Sequence, residues 1–183
     1  MKCMLPMALS ILAVSTAAWA QSPDPAAIDK ALLAAPANLK AGATVIRWKP
    51  DFTYETLRKG TNRLVCYDRS GQPGQQPFAV ECTSLDNLDR AAQNLKLEAI
   101  PDKKASLAAF DAAEKDGTRV KPEFGSVWYH LMGPDADHTR THMTIAVPGA
   151  TAKTLGLPET NAQGGVWIMN AGTSTARLMT PGE

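Results

Sequence analysis

Two cysteines, Cys66 and Cys82, frame the segment LVCYDRSGQPGQQPFAVEC, and no other feature constrains the fold as tightly. Its ends are β-branched and aromatic, and its middle, SGQPGQQP, is dense in the residues that turn chains. A hairpin centred on Gly74 sets residue 66 directly opposite residue 82. Opposed Cβ atoms lie about 4.5–5.5 Å apart, close enough to bridge with slight adjustment. The pair therefore reads as one structural disulfide rather than a redox centre, which would favour a close CxxC spacing.

A disulfide requires an oxidising compartment, and the N-terminus points to one. MKCMLPMALSILAVSTAAWA carries Lys2, an apolar run from Met4 to Val14 and the small-x-small ending Ala18-Trp19-Ala20, followed by the polar Gln21-Ser22-Pro23. This pattern predicts a secretory signal peptide over 1–20, cleaved after Ala20, and a periplasmic or extracellular mature chain. The apolar run is too short for a stable bilayer span, and Cys3 precedes it, which excludes a lipoprotein cysteine. Cleavage removes one of the 19 basic residues and none of the 18 acidic ones, leaving 18 against 18. A chain so balanced lacks the basic surface that nucleic-acid binding uses, so no nucleic-acid partner is expected, and no second run approaches transmembrane length. Of the 183 residues, 163 remain, enough for one domain with a real core.

Asp24-Pro25 caps a helix that ends before Pro36, giving a helical segment over 21–35 ahead of a single domain over 36–183. ATVIRW is a strand closed by Pro50. TYETLRKGTNRLVCYD reads as two strands around Gly60-Thr61-Asn62, where Gly and Asn tolerate positive φ, and with the Cys82 strand makes a three-stranded meander. Helical spacing follows in SLDNLDRAAQNLKLEA, with Ser84 as N-cap and Pro101 as stop, and in KKASLAAFDAAEKDG, closed by Gly117. FGSVWYHLM and THMTIAV are strands, ATAKTLGL is one or two helical turns, and GGVWIMNAGTSTARLM is a last hairpin around residues 171–174. The sum is an α+β domain: an antiparallel sheet of six or seven strands, helices packed on one face, and one disulfide.

All three histidines fall within YHLMGPDADHTRTH. A hairpin centred on Ala136 sets His130 against His142. One face then carries Val127, Tyr129, Leu131, Met143, Ile145 and Val147, an apolar set suited to a core. The other carries Trp128, His130, Met132, His142, Thr144 and Ala146. A one-residue slip would destroy the pairing. Two opposed imidazoles supply two metal ligands, with Asp135, Asp137 or His138 from the turn to complete a set. On a strand, His138 and His142 stand about 13 Å apart, too far for one ion. The competing reading is a half-exposed polar pair on a sheet face.

Other signatures are missing: no GxSxG elbow, HExxH helix, phosphate-binding glycine loop or dinucleotide fingerprint. Ser174 reads as a turn serine, and Asp86-Asp89 and Glu114-Asp116 as solvated helix faces. Arg58-Lys59 beside Gly60 offers a small anion-binding turn, weighed against a basic hairpin end kept for solubility. Trp48, Trp128 and Trp167 read first as packing, and only then as a ligand platform.

TLRKGTNRLVCYD with its second cysteine, THMTIAVPG and GGVWIMNAGTSTARLMTP together resemble a family of small exported bacterial proteins of uncharacterised function, over roughly residues 36–181. The resemblance implies a signal peptide, a disulfide between the matched cysteines and a compact mixed domain, and supplies no catalytic residues. The family pattern has a histidine at the position of His142 and another near the end, where this chain has Arg177. His130 and His138 have no counterpart, which turns attention from three histidines to His142 near Arg177.

The expected function is accordingly binding of a small ligand or an envelope partner, without a cofactor, with Trp128 and Arg177 as candidate ligand contacts. The alternative is a metal-dependent hydrolase in which His130 and His142 hold a divalent ion and Asp137 ligates it or accepts a proton. A third reading is a structural envelope protein offering an edge strand.

Overall fold

The structure is a computed structural model that describes residues 24–180. The leader expected over 1–20 lies outside the described residues. No helix among them is long and apolar enough to cross a membrane.

Eight strands form one mixed sheet: β1 Thr44–Trp48, β2 Tyr54–Arg58, β3 Leu64–Asp68, β4 Phe78–Ser84, β5 Val127–Gly133, β6 Arg140–Ala146, β7 Trp167–Met169 and β8 Arg177–Met179. Their order is β2-β1-β3-β4-β5-β6-β8-β7. The helices are α1 Pro25–Ala31, α2 Ala37–Lys40, α3 Leu88–Glu98, α4 Lys103–Lys115 and α5 Ala152–Leu155. The α+β class holds, with eight strands rather than six or seven. The last hairpin contributes two three-residue strands, too short to show a period.

The first meander differs from expectation. β1 and β2 form the hairpin, turning at 49–53, where Phe52 takes φ 66°. β1 then runs parallel to β3, with Val45 against Cys66. Gly60 is not a positive-φ turn residue. A Cβ there would sit 2.3 Å from the Gly42 carbonyl oxygen and 2.4 Å from the Thr44 nitrogen, so its hydrogen permits a close backbone approach. Arg58 is no anion-binding residue either, because its guanidinium donates to the carbonyls of Lys40 and Ala43 and ties the crossover down.

The cysteine hairpin follows the expected register. Cys66 lies opposite Cys82 and is bonded to it, with Cα atoms 4.1 Å apart. Both are fully buried, in a cluster with Val45 and Leu64 that Ala31 and Leu32 cover from the N-terminal helical segment. Alternation puts Ile46, Val65 and Tyr67 on the opposite face, where Leu88 and Ala91 of α3 pack against them. Helices thus cover both faces of the sheet rather than one. The end of α1 is apolar enough to claim the disulfide face, leaving α3 the other.

The apolar set on β5 and β6 departs from expectation too. Val127, Tyr129, Leu131, Met143 and Ile145 are only half-buried: the N-terminal segment sits over the disulfide strands and reaches β5, where Tyr129 packs against the cluster of Ala31 and Leu32, without burying the hairpin. Only Val147, just past β6, is fully covered, by Ile168 and Ala176.

Candidate functional site

β5 and β6 pair in the register that a centre at Ala136 requires, with His130 opposite His142. Their ring centroids lie 6.0 Å apart, and Trp128 stacks on His130 at 6.4 Å with planes 12° apart. β4 pairs on the far side of β5, and its register extends the row: Tyr67 faces Glu81, Glu81 faces His130, and His130 faces His142. Four polar side chains from β3, β4, β5 and β6 therefore form one line across one face of the sheet.

α3 packs over the β1–β3 half of that face, with Trp128 of β5 against the same cluster. Beyond its edge opens a cleft of about 310 Å³, floored by Trp128, His130, Met132, His142 and Thr144. Arg90, Asn94 and Glu98 form one wall, a stripe at i, i+4 and i+8 along α3. The opposite wall is Thr175, Ala176 and Arg177, from the strand that pairs with β6 and the turn before it. Such a volume lies at the small end of ligand pockets, about 300–1,000 Å³.

The carboxylate of Glu81 is 7 % exposed, the most buried acid of the cleft. Its Oε1 lies 3.4 Å from His130 Nδ1 and 3.6 Å from Arg69 Nη1. Burial pushes the Glu81 carboxyl up, but His130 and the Arg69 charge outweigh it and hold the group below its ordinary value. Arg69 is itself buried and gives its other nitrogen to Glu98 at 2.5 Å. Burial pulls it down, yet the two carboxylates win and raise it. His142 is lowered from its ordinary 6.5 by burial first, then by His130, Arg177 and Arg140. It is therefore mainly neutral at pH 7 and free to accept a proton or a hydrogen bond. The Tyr67 hydroxyl at the head of the row is buried without a hydrogen-bond partner, and burial raises it well above its ordinary value.

Of the residues expected from sequence, the structure brings Trp128, His130, His142 and Arg177 into this cleft. Asp137 is not there: it lies in the exposed β5–β6 turn, where its N–H donates to Asp135. His138 is beside it, its Nδ1 2.8 Å from the same carboxylate. The strands run the histidine pair away from the turn, so the loop acids cannot reach the ring nitrogens of His130 and His142. Among the described residues no group of three or more His, Cys, Asp or Glu is placed to hold a metal ion. Trp48 packs edge-on against Tyr54 and Tyr67, outside the cleft. Ser174 has a partner after all, donating through both N–H and hydroxyl to Glu114, which is thereby no free surface acid.

Sequence reasoning missed Glu81, Arg69, Arg90 and Glu98. Glu81 carried a usable signal: an acid inside FAVEC, one residue from the buried Cys82, must face the opposite side and needs a partner there. The Arg90-Asn94-Glu98 spacing was the second signal. In comparisons with models of known families, with curated proteins and with solved structures, the chain matches none.

Proposed function

We propose that this chain is an exported protein that binds a small ligand in the cleft between α3 and the β6–β8 edge of the sheet. One observation carries the reading: the five floor residues of the sheet face, the polar stripe of α3 and Arg177 converge on one concave space of about 310 Å³. An aromatic floor with a few placed polar groups is the usual make-up of a small-molecule site. The leader-like N-terminus and the Cys66–Cys82 bond support an extracytoplasmic setting. The sequence resemblance to small exported bacterial proteins agrees with that setting. A fragment screen followed by ¹H–¹⁵N and aromatic NMR tests the reading. Binders should shift Trp128, His130, His142 and Arg177 together and lose affinity in Trp128→Ala. Shifts scattered over the surface, or none from any fragment, would remove it.

A second reading rests on the Glu81–His130 contact beside a neutral His142. A carboxylate that orients one imidazole next to a second, uncharged one is an arrangement suited to proton transfer. With Asp137 outside the cleft, this hydrolase-like reading keeps His142 as the proton acceptor and His130 as its neighbour. Its metal-dependent form is tested by metal analysis of the purified protein with His142→Ala as control. Substoichiometric metal, unchanged by the substitution, would reject that form. Ester or phosphoester turnover, lost in His142→Ala, tests the metal-free form.

A further inference from the structure

The charges lining the cleft are unequal, and their pairing says which are spare. Three guanidinium groups, of Arg69, Arg90 and Arg177, face two carboxylates, of Glu81 and Glu98. Arg69 engages both carboxylates. Among the described residues neither Arg90 nor Arg177 has a carboxylate within ion-pair distance. Arg90 is only 6 % exposed, and one of its nitrogens donates to the Val120 carbonyl. Arg177 is half-buried and donates to the Met169 sulfur at 3.1 Å, a weak acceptor. Burial, then the charge of Arg119, pushes Arg90 down to about 9, with the Glu114 carboxylate opposing the fall and Arg177 adding to it. Burial lowers Arg177 as well. Guanidinium groups stay charged in proteins, so the molecule carries these two as desolvated cations without a direct ion-pair partner among the described residues, at the wall of a cleft.

We propose that the cleft binds a small organic monocarboxylate, its carboxyl group recognised by Arg90 and Arg177 and its apolar body resting on Trp128 and Met132. The inference rests on the ligand-binding reading and names the ligand class. The charge count selects the class, since one carboxylate cancels the excess of one guanidinium over the two glutamates. A phosphate dianion would overshoot and sit near Glu81 and Glu98. Arginine forks match a carboxylate with two parallel hydrogen bonds, and the low exposure of Arg90 strengthens them. The neutral His142 adds no competing charge, and the Thr144 and Thr175 hydroxyls provide donors for a second polar group.

Benzoate, its neutral counterpart benzamide, and inorganic phosphate are the probes, each titrated into the intact mature chain and followed by NMR and thermal shift. Benzoate should move the Trp128, His130 and His142 resonances and raise Tm, and benzamide should not. Arg177→Met should weaken benzoate by about tenfold or more, and Arg177→Lys should restore only part of it, because lysine lacks the fork. Arg90→Met is the parallel variant, with its amide spectrum reporting whether it folds. Equal binding of benzoate and benzamide overturns the carboxylate proposal while leaving the ligand-binding reading standing. Phosphate binding more tightly than benzoate also overturns it. Failure of benzoate to move the cleft resonances overturns it too, and neutral fragments that do shift them then show that only the ligand class was wrong.

Discussion

Glu81→Gln is the most informative single substitution, because one carboxylate serves both the stability of the sheet and the geometry of the cleft. Glu81 and Arg69 are almost fully buried, with side-chain exposures of 7 % and 3 %. Removing one partner of a buried ion pair costs about 3–5 kcal/mol when the other is left alone. Here Arg69 keeps Glu98 at 2.5 Å, and glutamine retains an acceptor, so the expected loss is about 2–3 kcal/mol. At a urea slope of about 1–3 kcal/mol/M, that moves the unfolding midpoint down by roughly 1–2 M. The pH dependence fixes the cause. The folded carboxyl lies below its ordinary 4.5, so its stabilisation is complete above that value and is lost as pH falls through the folded value. Wild type and variant should therefore differ at pH 7, and the difference should shrink as pH falls below 4.5 toward the folded value, in urea titrations at each pH. A neutral substitution at pH 7, or a difference that does not shrink at all as the pH is lowered through the acid range, would refute the claim that Glu81 is an ionised partner of Arg69 and His130.

Three further outcomes are expected. Replacing Cys66 and Cys82 by alanine opens a bridge of sequence separation 16 and should lower stability by about 3 kcal/mol, read as a shift in urea midpoint. His142 should titrate below 6.5 by NMR, and Arg177→Gln should raise the midpoint by removing one of the charges that depress it. Because its folded value is lowered, the stability this group contributes is present above 6.5 and is lost as pH falls through the folded value. Gly60→Ala should destabilise by about 3 kcal/mol or prevent folding, since its Cβ would meet the backbone of residues 42–44 and no side chain can yield. Thermal unfolding of that variant decides the point, and a neutral result would show that the crossover is looser than the contacts imply.

Both hairpin registers were legible because each turn carries its own centre. Gly74 and Ala136 sit midway between matched strands, and a period of two fixes everything that follows, including Cys66 against Cys82 and His130 against His142. The place of β1 was not legible. Gly60-Thr61-Asn62 has the composition of a tight turn, whereas the actual turn of the first hairpin places Phe52, an unusual residue, at positive φ. Insertion of β1 between β2 and β3 depends on Arg58 reaching the Lys40 and Ala43 carbonyls and on the backbone approach at Gly60. These contacts are formed at a distance and leave no mark on local periodicity.

The same limit explains why half of the cleft was visible in the sequence and half was not. Periodicity divides a hairpin into two faces but does not say which will be covered, since cover comes from elements elsewhere in the chain. On β5 and β6 the more apolar face is half-open, and the histidine face meets α3 along only one side. The reach of α3 is set by Leu88 and Ala91, which anchor it over Ile46, Val65 and Tyr67 and leave it short of β6. A helix anchored there turns its i, i+4, i+8 positions toward the open sheet, so Arg90, Asn94 and Glu98 become a wall rather than a solvated stripe. A charged side chain within an apolar helix repeat, with an acid buried in a neighbouring strand, is thus the sequence trace of a cleft at a sheet–helix margin.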